Sequence, residues 1–145
     1  MRTAVTSLAD IFDLRHQVLR TGMPAEAAHY PEDARPDTFH LAAWDEQGRV
    51  VGCVTFFPDP WDGAPGATAY RFRGMGTAPE VRGQGYGAAL IAAGIGAAAE
   101  RGAEVVWCNG RTSARGFYER AGFTAVGEEF ELAPSGPHYI FVHKA

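Results

Sequence analysis

At 145 residues the chain has the length of about one domain, enough to bury around two-thirds of its unfolded surface, so a single domain spanning residues 1–145 is expected and a repeat array is not. Hydrophobic residues make up 46% and charged residues 21%, which excludes an intrinsically disordered chain. Thirteen Lys+Arg against seventeen Asp+Glu leave a net charge of −4, and no basic run marks a nucleic-acid arm, so nucleic acid is not an expected partner.

The N-terminal stretch carries Asp10, Asp13, Arg15, His16 and Arg20, a pattern unlike a signal peptide. Ser7 followed by Asp10 resembles a capping box, and Leu8, Ile11, Phe12, Leu14, Val18 and Leu19 recur at helical spacing. A helix from Leu8 to Arg20 is predicted, stopped by Gly22 and Pro24. Residues 22–38, with Pro24, Pro31 and Pro36, form an irregular surface segment suited to shaping a substrate mouth. Phe39 to Trp44 and Arg49 to Phe57 read as a hairpin across Asp45-Glu46-Gln47-Gly48.

A Pro/Gly-rich loop, Pro58 to Gly66, leads to a strand from Ala67 to Thr77. There Tyr70 and Phe72 alternate with Arg71 and Arg73, which either form a solvated face or recognise an acidic acceptor. Gly85 to Arg101 is apolar nearly all round and predicts a buried helix that stops at Gly102; close packing against a sheet would offset the cost of Gly94 and Gly96. Val105 to Cys108 is a short buried strand. Thr112 or Ser113 caps a helix to Ala121, and strands Phe123 to Leu132 and His138 to His143 close the chain. Cys53 and Cys108 fit no metal spacing and read as buried free thiols of a cytoplasmic protein; neither a metal nor a membrane is an expected partner. The uncharged stretch Gly83 to Ala99 is too short and too weakly apolar to cross a bilayer.

The chemistry centres on Arg82-Gly83-Gln84-Gly85-Tyr86-Gly87, between a strand and a long helix. Glycines let the backbone turn its amides inward, the helix start adds about half a positive charge, and Arg82 adds a charge-assisted contact, which together suit a pyrophosphate. The same stretch satisfies a dinucleotide template, Gly83-x-Gly85-x-x-Ala88 with Glu104 as ribose acceptor, but successive βαβ units are missing and antiparallel hairpins flank it. A plain glycine turn is the bland alternative.

Arg82-x-x-Gly85-x-Gly87, preceded by Thr77-Ala78-Pro79, and downstream Asn109, Ala114, Phe117-Tyr118-Glu119-Arg120 and Gly122-Phe123, resemble the GCN5-related N-acetyltransferase (GNAT) superfamily. The resemblance implies a mixed α/β fold with a mostly antiparallel sheet, helices on both faces and a wedge between the fourth and fifth strands of the family's sheet. It also implies acetyl-CoA as acyl donor. Backbone groups of Met75, Gly76 and Thr77 would then pair with the pantetheine arm, and Gly83 to Gly87 with Ala88 would hold the pyrophosphate. Asn109 would reach the pantetheine or acyl region, with Ala114 and Phe117 beside the cofactor, and Tyr118 would protonate the departing thiolate. The bland readings are a half-buried aromatic for Tyr118, a turn cap for Asn109, and core for Phe117 and Phe123.

Two positions depart from the family pattern. Arg111 replaces an asparagine, and it either binds a CoA phosphate or projects into the acceptor cleft. The strand Ala67 to Thr77 has no carboxylate to act as base, which leaves His40, His138, Glu128 and Glu129, with His138 preferred and an exposed strand-end histidine as its alternative. The expected function is acetyl transfer to the primary amine of a small molecule or peptide by direct attack in a ternary complex. The alternative is a noncatalytic acyl-CoA sensor on the same fold, and the resemblance is compatible with a homodimer.

Overall fold

A computed structural model describes residues 1–145. Seven strands form one sheet in the order β1-β2-β3-β4-β5-β7-β6. In chain order these are β1 (Arg2–Thr6), β2 (Phe39–Trp44), β3 (Val50–Pro58), β4 (Ala69–Thr77), β5 (Val105–Arg111), β6 (Thr124–Leu132) and β7 (Gly136–Lys144). The helices are α1 (Leu8–Leu19), α2 (Tyr86–Glu100) and α3 (Arg115–Arg120). All strand pairs are antiparallel except β4 with β5. No helix is long and apolar enough to cross a membrane.

The predicted elements form, with three corrections. Strand β1 was not anticipated: it is a short edge strand with mostly polar residues, ordered by pairing with β2 from Arg2↔Trp44 to Thr6↔His40. Thr112 and Ser113 do not cap a helix directly but lie in a 3-10 turn, Thr112–Ala114, that leads into α3. Gly96 meets nothing within 4 Å, so close packing accounts for Gly94 alone.

Thr55 and Phe56 are neighbours on β3 and therefore point to opposite faces. Arg15 of α1 bonds Thr55, whereas Gly94 of α2 lies against Phe56, so the two helices cover opposite sides of the sheet. On the α2 side, Phe39, Phe56, Phe72, Tyr118 and Phe141 form a continuous aromatic row with ring centroids 4.5 to 6.3 Å apart. Helix α3 joins this side through Tyr118 and through Phe117, which packs on Gly87 of α2.

On the α1 side, apolar residues such as Ile11 and Leu14 share the core with a polar cluster. Arg15 is 0% exposed, and its guanidinium donates to the Ala28 carbonyl (2.9 Å), to both oxygens of Asp33 (2.7 and 3.1 Å) and to Thr55 Oγ1 (2.6 Å). His40 Nδ1 lies 2.8 Å from the same hydroxyl, and burial lowers its pKa. Asp33 also accepts from the Tyr30 amide, so one α1 side chain ties two 3-10 turns, Ala25–Ala28 and Pro31–Ala34, to the sheet. Residues 22–38 are thus irregular yet anchored.

Two stability tests follow from this packing. A Cβ on Gly94 would lie 2.3 Å from the Phe56 ring, and this overpacking outweighs a helix-propensity gain of ~1 kcal/mol. Gly94→Ala is expected to destabilise by about 1–3 kcal/mol and Gly96→Ala to stabilise by up to ~1 kcal/mol; urea unfolding of both variants checks the contrast. Burial raises the Asp33 pKa, but the bonds from Arg15 and Tyr30 and the Arg15 charge outweigh it and hold it below 3.8. A carboxyl depressed in the folded state stabilises above its unfolded pKa and loses that contribution as pH falls through the folded one. Stability of the native chain should therefore fall off below about pH 4, whereas Asp33→Asn should lose about 3–5 kcal/mol at pH 7 and show a flatter acid limb in denaturant melts.

Candidate active site

Strands β4 and β5 pair only at Ala69↔Val105, Tyr70↔Val106 and Arg71↔Trp107. Beyond this point β4 stays on β3 as far as Gly52↔Thr77, while β5 stays on β7 as far as Arg111↔His138. The two strands diverge, and Phe72 to Thr77 face Cys108 to Arg111 across a wedge. A bulge in β4 contributes to this divergence. Cys53 opposes Gly76 but Thr55 opposes Arg73, so β4 carries an extra residue at Gly74 and Met75, with Gly74 at φ 65°. A Cβ on Gly74 would meet the Tyr30 ring at 2.7 Å, so only glycine allows Tyr30 to lie on the bulge. Met75, Gly76 and Thr77 line the β4 edge of the wedge.

The glycine turn lies at the N-terminus of α2. Gly83 and Gly85 have φ 82° and 91°, conformations that favour glycine, and Gly85 caps the helix without a side-chain bond. The amides of Gly83, Gly85, Tyr86, Gly87 and Ala88 enter no backbone hydrogen bond outside the helix ladder, and the first helical amides have no partner within it. They form a free donor set at the positive end of the helix dipole. Arg82 is exposed, and Gln84 turns away to donate from Nε2 to the Glu80 carbonyl (3.1 Å). Beside the turn, an apolar groove of about 280 Å³ runs between α2 and α3, lined by Ala88, Ile91, Ala92, Phe117, Arg120 and Ala121. Ala114 is half-buried where α3 starts and packs on the core.

Tyr118 lies beneath the apex of the wedge on the α2 side. Its ring touches Phe72 of β4 (6.3 Å between centroids) and stacks on Phe141 of β7 (4.5 Å), while Gly110 of β5 lies over it. Burial, and next the neighbouring Cys108 thiol, raise its pKa, so the phenol stays protonated at neutral pH. Burial also pushes the Cys108 thiol up to about 12 and the Cys53 thiol up to about 11.

On the α1-facing side of the wedge, Asn109 is half-buried and Arg111 is exposed; neither is in an ion pair. His138 is in register with Arg111 and so shares this face. It is 5% exposed rather than an open strand end, because the Phe130 ring lies 6.0 Å away on β6. Its Nδ1 is 2.8 Å from the Gly136 carbonyl, which accepts only, so Nδ1 carries the proton and Nε2 is the basic nitrogen. The other proposed bases are placed elsewhere: His40 lies inside the Arg15 cluster, and Glu128 and Glu129 are exposed on β6, the latter accepting from Thr112 (2.7 Å). Glu104 accepts from the Thr68 amide, far from a ribose role.

Arg71 and Arg73 do not form a plain solvated face. Arg71 pairs with Asp59 (3.1 Å) and Arg73 with Glu32 (3.0 Å). Sequence reasoning missed both carboxylates and Tyr30, because they lie in irregular segments without periodicity. The signal available was indirect: two strand arginines on one face require nearby anions.

The Acetyltransferase (GNAT) family model matches residues 6–123. The uncharacterized N-acetyltransferase YitI of Bacillus subtilis strain 168 is 34% identical over 134 residues, which cover 92% of this chain and 89% of that protein. An acyl-CoA N-acyltransferase from Pseudomonas aeruginosa superposes with a TM-score of 0.75 at 22% identity, covering 98% of each chain. An aminoglycoside 6'-N-acetyltransferase complexed with coenzyme A superposes at 0.75 and 17% identity over 99% of this chain and 97% of that one. The sequence matches span the wedge and the glycine turn alike, and the chain belongs to the GNAT family of acetyltransferases.

Proposed function

We propose that residues 1–145 form one acetyltransferase domain that transfers an acetyl group from acetyl-CoA to a primary amine of a small molecule or peptide, within a ternary complex. The observation that carries this reading is the wedge that opens between a free-amide helix N-terminus and the Tyr118 phenol. Acetyl-CoA, when bound, supplies the activated thioester. The amides from Gly83 to Ala88 would bind its pyrophosphate with Arg82 adding charge, the backbone of Met75, Gly76 and Thr77 would receive the pantetheine arm, and the groove beside Phe117 offers apolar cover. Asn109 has a free amide for the arm or the acyl group. Backbone amides at the β4 bulge would polarise the acyl carbonyl.

Tyr118 would donate a proton or hydrogen bond to the leaving sulfur, a role suited to a buried phenol that remains protonated. Neither thiol serves as an intermediate carrier, because burial keeps both in the unreactive protonated form. His138, with Nε2 basic, would relay the acceptor's proton. The missing β4 carboxylate, which spoke for a noncatalytic sensor, is offset by Asp59 and Glu32 delivered from the adjoining segments. Two free thiols suit the reducing cytoplasm.

Calorimetry should show micromolar acetyl-CoA binding, about −8 kcal/mol, with no heat from NAD. Binding of NAD instead would mean that the glycine turn serves a dinucleotide. Tyr118→Phe should lower kcat about 100-fold and leave acetyl-CoA affinity unchanged. For His138→Ala, the prediction is loss of the acid limb of the kcat/KM profile; a profile matching the parent removes His138 from the mechanism.

A further inference from the structure

We propose that the acceptor is an α-amino acid whose ammonium and carboxylate are held by the Glu32–Arg73 pair, a reading that rests on the acyl transfer described above. Strands β4 and β5 last pair at Arg71↔Trp107, so Arg73 is the first β4 side chain on the α1-facing side beyond the apex of the wedge. A thioester arm that reached that apex would bring its acyl carbon to the stretch of β4 that carries Arg73. Glu32 reaches Arg73 from the 3-10 turn Pro31–Ala34, which the Arg15–Asp33 bond pins to the sheet.

The two pairs of this region differ in how much bonding capacity they leave. Arg15 is 0% exposed and both of its terminal nitrogens are bonded. Arg73 meets Glu32 through one nitrogen and one oxygen only, at 3.0 Å, and the two side chains remain 32% and 21% exposed. The second Glu32 oxygen and the remaining Arg73 donors are therefore free to bind a ligand. The Tyr30 ring, 4.0 Å from the Arg73 guanidinium, braces it against the bulge. A zwitterion with both charges on one carbon matches this pair with signs reversed: ammonium to Glu32, carboxylate to Arg73. A simple amine satisfies only the first contact. The Arg71–Asp59 pair is a weaker candidate, since it lies where the strands are still joined, and the Phe57 and Trp107 rings lie 5.3 and 5.4 Å from its guanidinium.

In the transfer, the ammonium held by Glu32 gives one proton to His138 Nε2 and so to water. The nitrogen lone pair then forms the C–N bond to the acyl carbon as the C–S bond breaks, and the sulfur leaves with that electron pair. A second proton lost from nitrogen balances the one taken up by sulfur, so thioester and ammonium yield amide, thiol and one released proton.

The test compares initial rates for the common L-amino acids and for their carboxamides with acetyl-CoA. At least one amino acid should show a kcat/KM at least about 10-fold above its carboxamide, the scale of a lost charge-assisted hydrogen bond. Arg73→Met should bring that ratio close to one, and Arg73→Lys should retain part of it. The ratio does not depend on the folded fraction of a variant. As a readout without chemistry, calorimetry of the preferred amino acid into CoA-saturated protein should show binding that Glu32→Gln weakens at least about 10-fold. Equal rates with acids and amides overturn the proposal and leave acyl transfer intact, as does acetyl-CoA binding with turnover of neither set. A chain that does not bind acetyl-CoA overturns both readings.

Discussion

The incomplete pairing of β4 with β5 is the constraint on which the rest of this molecule depends. Two parallel strands in a sheet normally zip along their length, yet here they join over three residue pairs and then follow different partners. Strand β5 is held to β7 through seven registered pairs and stays with it, whereas β4 bends at the Gly74 bulge and stays with β3. Both strands are anchored on their outer edges, so the opening is part of the fold's connectivity. The glycine turn lies just beyond the end of β4 and Tyr118 lies beneath the apex, which puts a set of unbonded helix-start amides and a buried phenol on the same gap.

The two faces of the sheet are stabilised by different physics. On the α2 side, aromatic rings and small helix residues pack closely, and the contact of Gly94 with Phe56 leaves no space for a methyl group. On the α1 side, a buried arginine with four hydrogen bonds takes the place of an apolar plug. Buried ion pairs add little net stability when complete and cost much when broken. This one orders an irregular segment that has few buried apolar residues of its own, Ala28 and Tyr30 among them.

Periodicity and turn chemistry made α1, the β2–β3 hairpin and α2 readable from the chain alone, because each carries its signal within a dozen or so neighbouring residues. The GNAT resemblance extended that reading to the glycine turn and Tyr118. What escaped depends on residues distant in sequence. Strand β1 is strand-like only because β2 offers it an edge, and Arg15 reads as a surface residue until Asp33 and Thr55 are brought to it. Nothing local decides between a base and an exposed strand end for His138, because Phe130 packs on it only across β6–β7, and Gly96 could not be told from Gly94 without knowing which faces Phe56. The wedge, being the absence of a pairing, has no signature of its own in the local pattern, and it was legible only because the GNAT resemblance implies it between the fourth and fifth strands.

The anchoring of residues 22–38 has an evolutionary consequence. The segment is tied at Ala28, Tyr30 and Asp33, while residues 21–26 and 34–37 are exposed on either side of these anchors. Apart from Arg35, which donates to the Pro58 carbonyl at the end of β3, and Met23, whose carbonyl meets His16, these flanks make no bond to the sheet, the glycine turn or the wedge. The flanks can therefore change in sequence at little folding cost, provided Arg15 and Asp33 are kept together. An engineer diversifying the chain would randomise the flanks and leave that pair alone.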